Sequence, residues 1–214
     1  MTKKINEVFI SEIKIKTTQV NLLEKPIKTK FTLTNSHQTF LRKIPQNKGY
    51  YITGFADGEG SFNTSFRERN DLLIGWKISP VFNISQKEKT ILAIIKNHLK
   101  CGTIRFRKDG VWVYEVDNRD MLINQIIPFF SKFRFLSDKK KNDFSRFQKI
   151  VSIVSQNKST TFDDIVSILK LLEENSSKNC RKFTDKYILD RATVYWDLNK
   201  AKVLALNSKQ VFPN

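Results

Sequence analysis

The stretch Ile52-Thr-Gly-Phe-Ala-Asp-Gly-Glu-Gly60 decides how this chain is read. It closes a short helical run that begins near Tyr50 and stops at Gly60, a residue suited to helix termination. Glycine inside a helix costs roughly 0.5–1 kcal/mol relative to alanine, so Gly54 and Gly58 need a reason. They stand four residues apart on one helical face, and Thr53 and Ala56 are also small. Such a face lets a second helix approach backbone-close. Asp57 and Glu59 fall at the helix C-terminus, where the macrodipole disfavours negative charge. A cation bound beside one of these carboxylates explains the placement. The plain alternative is a glycine-rich helix end carrying a solvated acid.

Downstream of Gly60 the period changes from helical to alternating. Phe62, Thr64 and Phe66 fall on one side of a strand, with Asn63, Ser65, Arg67 and Arg69 on the other. A turn at Asn70-Asp71 leads to a second strand. There Trp76, Ile78, Phe82 and Ile84 alternate with Lys77, Ser79 and Asn83, and Pro80 predicts an edge position or a bulge. Residues 87–100 space their apolar groups at helical intervals. Gly102 opens a hairpin in which Ile104 and Phe106 alternate with Thr103, Arg105 and Arg107, around an Asp109-Gly110 turn. Helices are expected at 119–130 and 138–154, the second with Phe144, Phe147, Ile150 and Val151 on one face. The order is αββαββα, an α+β core over residues 48–155.

Residues 1–47 form a basic N-terminal extension. Phe31-Thr-Leu-Thr has the alternation of a short strand, and Lys28, Lys30, Arg42 and Lys43 are either solvated charges or phosphate contacts. Residues 156–214 form a helical C-terminal extension, opened by a capping box at Thr161-Phe-Asp-Asp164.

Charge narrows the class. The 214 residues carry 38 Lys and Arg against 21 Asp and Glu, a formal net charge of +17. That surplus opposes compaction unless a polyanion uses it, so nucleic acid is the first partner to expect. A membrane surface would need a basic amphipathic helix or a long apolar span. The sequence offers neither, so no membrane partner is expected. Cys101 and Cys180 are too far apart to suggest a disulfide framework, and His37 and His98 are isolated surface or packing residues rather than ligands. The start of the chain has no apolar signal region. Heavy use of Lys, Asn, Ile and Phe suits an A·T-rich coding sequence, and so an organellar gene (chloroplast or mitochondrion).

The string at 52–62 resembles the signature of the LAGLIDADG homing endonucleases. Pro80-Val-Phe-Asn-Ile-Ser-Gln-Lys87 is similar to the family's second-strand segment, and Asp117-Asn-Arg, Ile127-Pro-Phe-Phe130 and Asp143-Phe-Ser-Arg-Phe147 follow in the expected order. The resemblance covers about residues 48–155. It implies an αββαββα unit whose antiparallel, saddle-shaped sheet lies in the DNA major groove. Only one copy of the motif is present, so it implies a homodimer on a long pseudo-palindromic site, joined through Thr53, Gly54, Ala56 and Gly58.

By the same resemblance, Glu59 is the metal-binding acid and the Gly58 carbonyl a second ligand, while Asp57 is structural. Gln86 orders the hydrolytic water, and Lys139 or Lys140 supplies the supporting cation. Thr90 stands where some members have a basic residue, with Lys87 or Lys89 as substitutes. Phosphodiester hydrolysis needs an activated water, neutralised charge at phosphorus and a stabilised leaving oxygen, and Mg2+ supplies all three. Mn2+ is expected to substitute, and Ca2+ to support binding without efficient cleavage. Asn63, Ser65, Arg67, Arg69, Lys77, Asn83, Arg105 and Arg107 would contact double-stranded DNA from one sheet face, since Arg pairs with guanine and Asn with adenine. The plain alternative is a solvated face. The rival function is an RNA-binding maturase that assists group I intron splicing, because charge alone does not separate DNA from RNA.

Overall fold

The structure, a computed structural model, describes residues 31–156, 160–173 and 182–209. Residues 31–34 pair into no strand: Thr34 is extended and caps the helix that begins at Asn35. Thr34 accepts the His37 backbone N–H and donates its own to the His37 ring, capping α1 (Asn35–Arg42) at both partners. His37 is buried, as a packing histidine should be, with its Nε2 3.3 Å from Asn124 Oδ1. Leu41 and Ile44 are also buried, so the described part of the N-terminal extension packs on the same body as the motif. Lys28, Lys30 and Cys180 lie outside the described residues.

The motif helix α2 (Gln46–Glu59) leads directly into β1 (Gly60–Glu68), which pairs antiparallel with β2 (Trp76–Gln86) in unbroken register from Gly60↔Ile84 to Glu68↔Trp76. After α3 (Lys89–Leu99), β3 (Thr103–Phe106) and β4 (Trp112–Val116) complete one sheet of order β1-β2-β4-β3. The Asp109-Gly110 turn sits as expected, with Gly110 at φ +82° and its N–H on Arg107 O. Pro80 lies in β2, an inner strand, and there is no bulge. It is tolerated because β4 pairs with β2 only over Phe82–Gln86, so Pro80 stands where β2 has β1 on one side and, among the described residues, no strand on the other.

The helices α3 and α6 (Asp138–Gln156) cover one face of the sheet. Phe62 from β1 is the hub of that layer, its ring 4.9–5.8 Å from those of Phe82, Phe130, Phe135, Phe144 and Phe147. Between β4 and α6 the chain runs through α4 (Arg119–Met121), a π-helical turn (Leu122–Ile126) and α5 (Ile127–Lys132). Pro128 explains the irregularity: it has no N–H for the carbonyl of Asn124 and its ring crowds that carbonyl, so the helix widens just before it.

The C-terminal helices pack on the core. The capping box forms, with Thr161 and Asp164 exchanging backbone-to-side-chain bonds of 2.8 and 3.2 Å, and it opens α7 (Phe162–Glu173). Ile165, Ile168 and Leu169 from α7, with Ile188 and Ala192 from α8 (Asp185–Lys209), bury Trp76, Ile78 and the α6 residues Ile150, Ile153 and Val154. Trp76 also donates its indole N–H to Ile188 O at 3.0 Å. A second core thus forms under the far end of the β1–β2 hairpin.

Candidate active site and nucleic-acid interface

Two faces of α2 meet different surroundings. Ile52, Thr53 and Ala56 point inward: Thr53 donates its hydroxyl to Phe133 O at 3.0 Å, and Ala56 has no exposed surface. Gly49 is on the same side, where a Cβ would fall 2.3–2.6 Å from the Phe133 ring. Of the four small residues expected at a subunit contact, two are buried and two exposed. Thr53 and Ala56 serve the chain's own core, whereas Gly54 and Gly58 are exposed with nothing within 4 Å of a Cβ. Tyr50 and Tyr51 extend this exposed face, each just over half accessible.

The helix stops at Gly60 for reasons of space. Gly60 is extended (φ −78°, ψ 149°) and donates to Ala56 O, and a Cβ would lie 2.5 Å from that same carbonyl. No larger residue fits without moving the junction. Glu59 is consequently the last helical residue, exposed, directly beside the first sheet pair. The last turn of α2 carries no basic residue, so its carbonyl pole and Glu59 form a concentration of negative charge.

Three elements converge here. Asp57 accepts the backbone N–H groups of Leu136 (3.2 Å) and Ser137 (3.1 Å) and the Ser137 hydroxyl, capping α6 from outside it. Partial burial pushes the Asp57 carboxyl up. The Ser137 hydroxyl and amide, the Leu136 amide and the Lys140 charge together outweigh that and hold it below its ordinary value. Lys140, one turn into α6, donates its ammonium to Gly60 O. Lys139 is exposed and makes no such bond. Gln86 ends β2 two residues beyond Ile84, the partner of Gly60, so it occupies the same end of the sheet, half-buried. Its Oε1 accepts the Lys87 amide at 3.2 Å. Lys89 stands over the Trp112 ring at 4.6 Å.

The donors at the helix end are oxygens, a carboxylate and the final helical carbonyls, which suit a hard cation such as Mg2+. Among the described residues no group of three or more His, Cys, Asp or Glu could enclose an ion. A cation held at the helix end would need further ligands from outside these residues.

The sheet face that none of the described helices covers carries the polar set. Register places Asn63, Ser65 and Arg67 of β1 beside Lys77 and Asn83 of β2, and Arg105 on β3 shares their side through Val113 and Ser85. The same register brings to this side Ser79 and Thr103, as the alternation placed them, and adds Ser61 and Glu115. Three arginines are answered within the chain: Arg69 by Asp71 at 2.7 Å, Arg105 by Glu115 at 3.2 Å and Arg107 by Asp109 at 2.5 Å. Arg69 and Arg107 lie in the loops just beyond their strands. Arg67 and Lys77, by contrast, are directly opposite each other, with no acidic partner among the described residues. Like charges so placed destabilise a ladder.

The LAGLIDADG endonuclease family profile matches residues 52–151. A Neurospora crassa protein named "Probable intron-encoded endonuclease 2" is 34% identical over 124 residues, covering 56% of this chain and 27% of the relative. Homing endonuclease I-ApeII of Aeropyrum pernix is 29% identical over 110 residues, covering 50% of this chain and 65% of the relative. The chain thus spans less than two thirds of either relative's length. Among solved structures, the archaeal intron-encoded homing endonuclease I-Vdi141I, in complex with DNA, superposes with a TM-score of 0.64 at 32% identity, over 71% of this chain and 98% of that one. With the motif helix, the four-stranded sheet and nearly the whole of a solved member matched, this chain belongs to the LAGLIDADG endonuclease family.

Proposed function

We propose that the chain is a site-specific double-strand DNA endonuclease that acts as a homodimer, depends on Mg2+, and cuts at a long pseudo-palindromic site. The observation that carries this reading is the convergence at one helix end: Glu59 exposed beside Gly60, Lys140 bonded to Gly60 O, and Asp57 fixing α6 against both. The exposed Gly54 and Gly58 support close approach of a second motif helix, which brings two Glu59 side chains to one dyad. The opposed Arg67 and Lys77 support a polyanion on the sheet face, since phosphate oxygens relieve their repulsion. The catalytic unit in this reading runs from α2 through α6, supported by α1 and by α7 with α8.

Each chain residue has a definable task. Glu59 and the Gly58 carbonyl would hold Mg2+, which when bound supplies charge neutralisation at phosphorus and an acidified water. Gln86 accepts or donates a hydrogen bond to orient that water. Lys140 holds a positive charge at the end of β1 and leaves Lys139 a surface residue. The polar sheet residues position the duplex and read base edges. In the same reading the gene lies within an organellar intron, in keeping with the Lys-, Asn- and Ile-rich composition, and sequencing its locus tests that.

The decisive experiment is Glu59→Gln. Cleavage of the cognate duplex should be lost, while gel shifts in Ca2+ retain specific binding. Cleavage by this variant at near the wild-type rate would overturn the assignment.

A further inference from the structure

We propose that the C-terminal helix α8 is a specificity-determining brace, holding the tip of the β1–β2 hairpin so that its cations read the outer base pairs of each half-site. The inference rests on the sheet face being the recognition surface.

The tip is the part of the sheet least able to hold itself. Beyond Pro80, β2 is paired only with β1, and a two-stranded ribbon is marginal alone. The loop at 69–75 is closed by its own turns, Leu72 N–H to Arg69 O and Gly75 N–H to Leu72 O. What fixes it in space is α8. Arg191 donates to Asn70 Oδ1 at 2.7 Å, Tyr195 donates its hydroxyl to the same atom at 2.7 Å, and Asn199 donates to Leu73 O at 2.7 Å. Tyr187 donates to Glu68 Oε1 at 2.8 Å on the last β1 residue. Gly75, at φ +69°, admits the Tyr195 ring where a Cβ would come within 2.8 Å.

These bonds have one geometry in common: every acceptor belongs to the loop or the strand end, and every donor to one face of α8. Each exists in a single placement of the loop. Arg67 and Lys77 face each other one residue inside the Glu68–Trp76 pair that flanks this loop. From Gly60 to Glu68 the strand runs about 26 Å at roughly 3.3 Å per residue, so the braced end lies far from Glu59. A change in α8 should therefore alter reading at the outer positions and spare the chemistry.

The test uses the full chain with Tyr195→Phe and Asn199→Ala combined, and Tyr195→Phe alone, which keeps the ring against Gly75. Wild type, both variants and Arg67→Ala are each profiled by cleavage of a randomised duplex library, with thermal melting alongside. The expected result is about a 3- to 10-fold loss of discrimination in the double variant, confined to the outermost positions of each half-site. The maximal cleavage rate on the preferred duplex should stay within about twofold of wild type, since only hydrogen bonds at the hairpin tip change. Tyr195→Phe alone should show the same pattern, smaller. If Arg67→Ala relaxes the outer positions and the double variant does not, the brace is refuted and the recognition face stands. If discrimination falls evenly along the site, α8 is merely structural and the inference fails. If wild type shows no preference, the reading of the face fails with it.

Discussion

Gly54→Ala pits two effects of opposite sign against each other. Within one chain Gly54 is an exposed helical glycine, and a Cβ there meets nothing within 4 Å. Alanine gains about 1 kcal/mol over glycine in a helix interior. For a chain of this size that raises the melting temperature by about 2–4 °C. If the same face packs on its twofold mate, each added methyl enters a close-packed contact at a typical cost of about 1–3 kcal/mol. A symmetric interface meets the change from both sides. Since about 1.4 kcal/mol is tenfold in affinity, the dimer should weaken by at least roughly tenfold. Thermal melting at concentrations where the chain is monomeric reads the first effect, and sedimentation over a dilution series reads the second. A monomer destabilised by the alanine would mean that this face is already packed within the chain. A more stable monomer with an unchanged dimerisation constant would mean that the subunits meet elsewhere.

Three other substitutions address single contacts. Asp57→Ala removes the external cap of α6 and should destabilise the fold by about 1–2 kcal/mol, read by chemical denaturation. Because the folded carboxyl titrates below its ordinary 3.8, its contribution is present above that pH and fades as pH falls through the folded value. The gap between wild type and variant should therefore close in acid, and a gap independent of pH would show that the charge is irrelevant. Lys140→Met should lower the cleavage rate at least about tenfold while Lys139→Met stays near wild type; equal losses would remove the distinction drawn from the Gly60 contact. Arg67→Gln should leave or slightly raise the stability of the free chain, by up to about 1 kcal/mol from relief of the opposed Lys77. It should also weaken DNA binding and reduce its salt slope by about one. A variant that binds with the wild-type slope would show that Arg67 meets no phosphate.

The alternation at 62–66 and 76–84 is legible because a strand with one buried face enforces a period of two on its residues, and the structure keeps that period without a slip. The capping box at Thr161 is local chemistry and equally readable. What escaped the sequence is non-local. Thr53 and Ala56 look like part of a small-residue face, and only the position of Phe133, 80 residues on from Thr53, shows that they point inward. Lys139 and Lys140 are adjacent and chemically identical, and the choice between them depends on the angle at which α6 leaves Ser137. Ser137 itself, ahead of a Lys-rich helix, carries a readable helix-start signal, whereas its bond to Asp57 does not. Residues 31–34 show the converse, for four alternating residues are too few to mark a strand, and here they only lead into the Thr34 cap.

The brace between the hairpin and α8 also sets an order in time. Tyr187 bonds to Glu68 across 119 residues of chain, and Tyr195 to Asn70 across 125. At the usual pace of protein synthesis, about 5–20 residues per second, the helix that steadies the hairpin leaves the ribosome on the order of ten seconds after the hairpin does. A chain interrupted in that interval has its motif helix, its Glu59 and its four strands, yet a slack tip. Premature termination near residue 180 would therefore remove at one stroke the donors that steady the tip and the Ile188 and Ala192 that complete the second core.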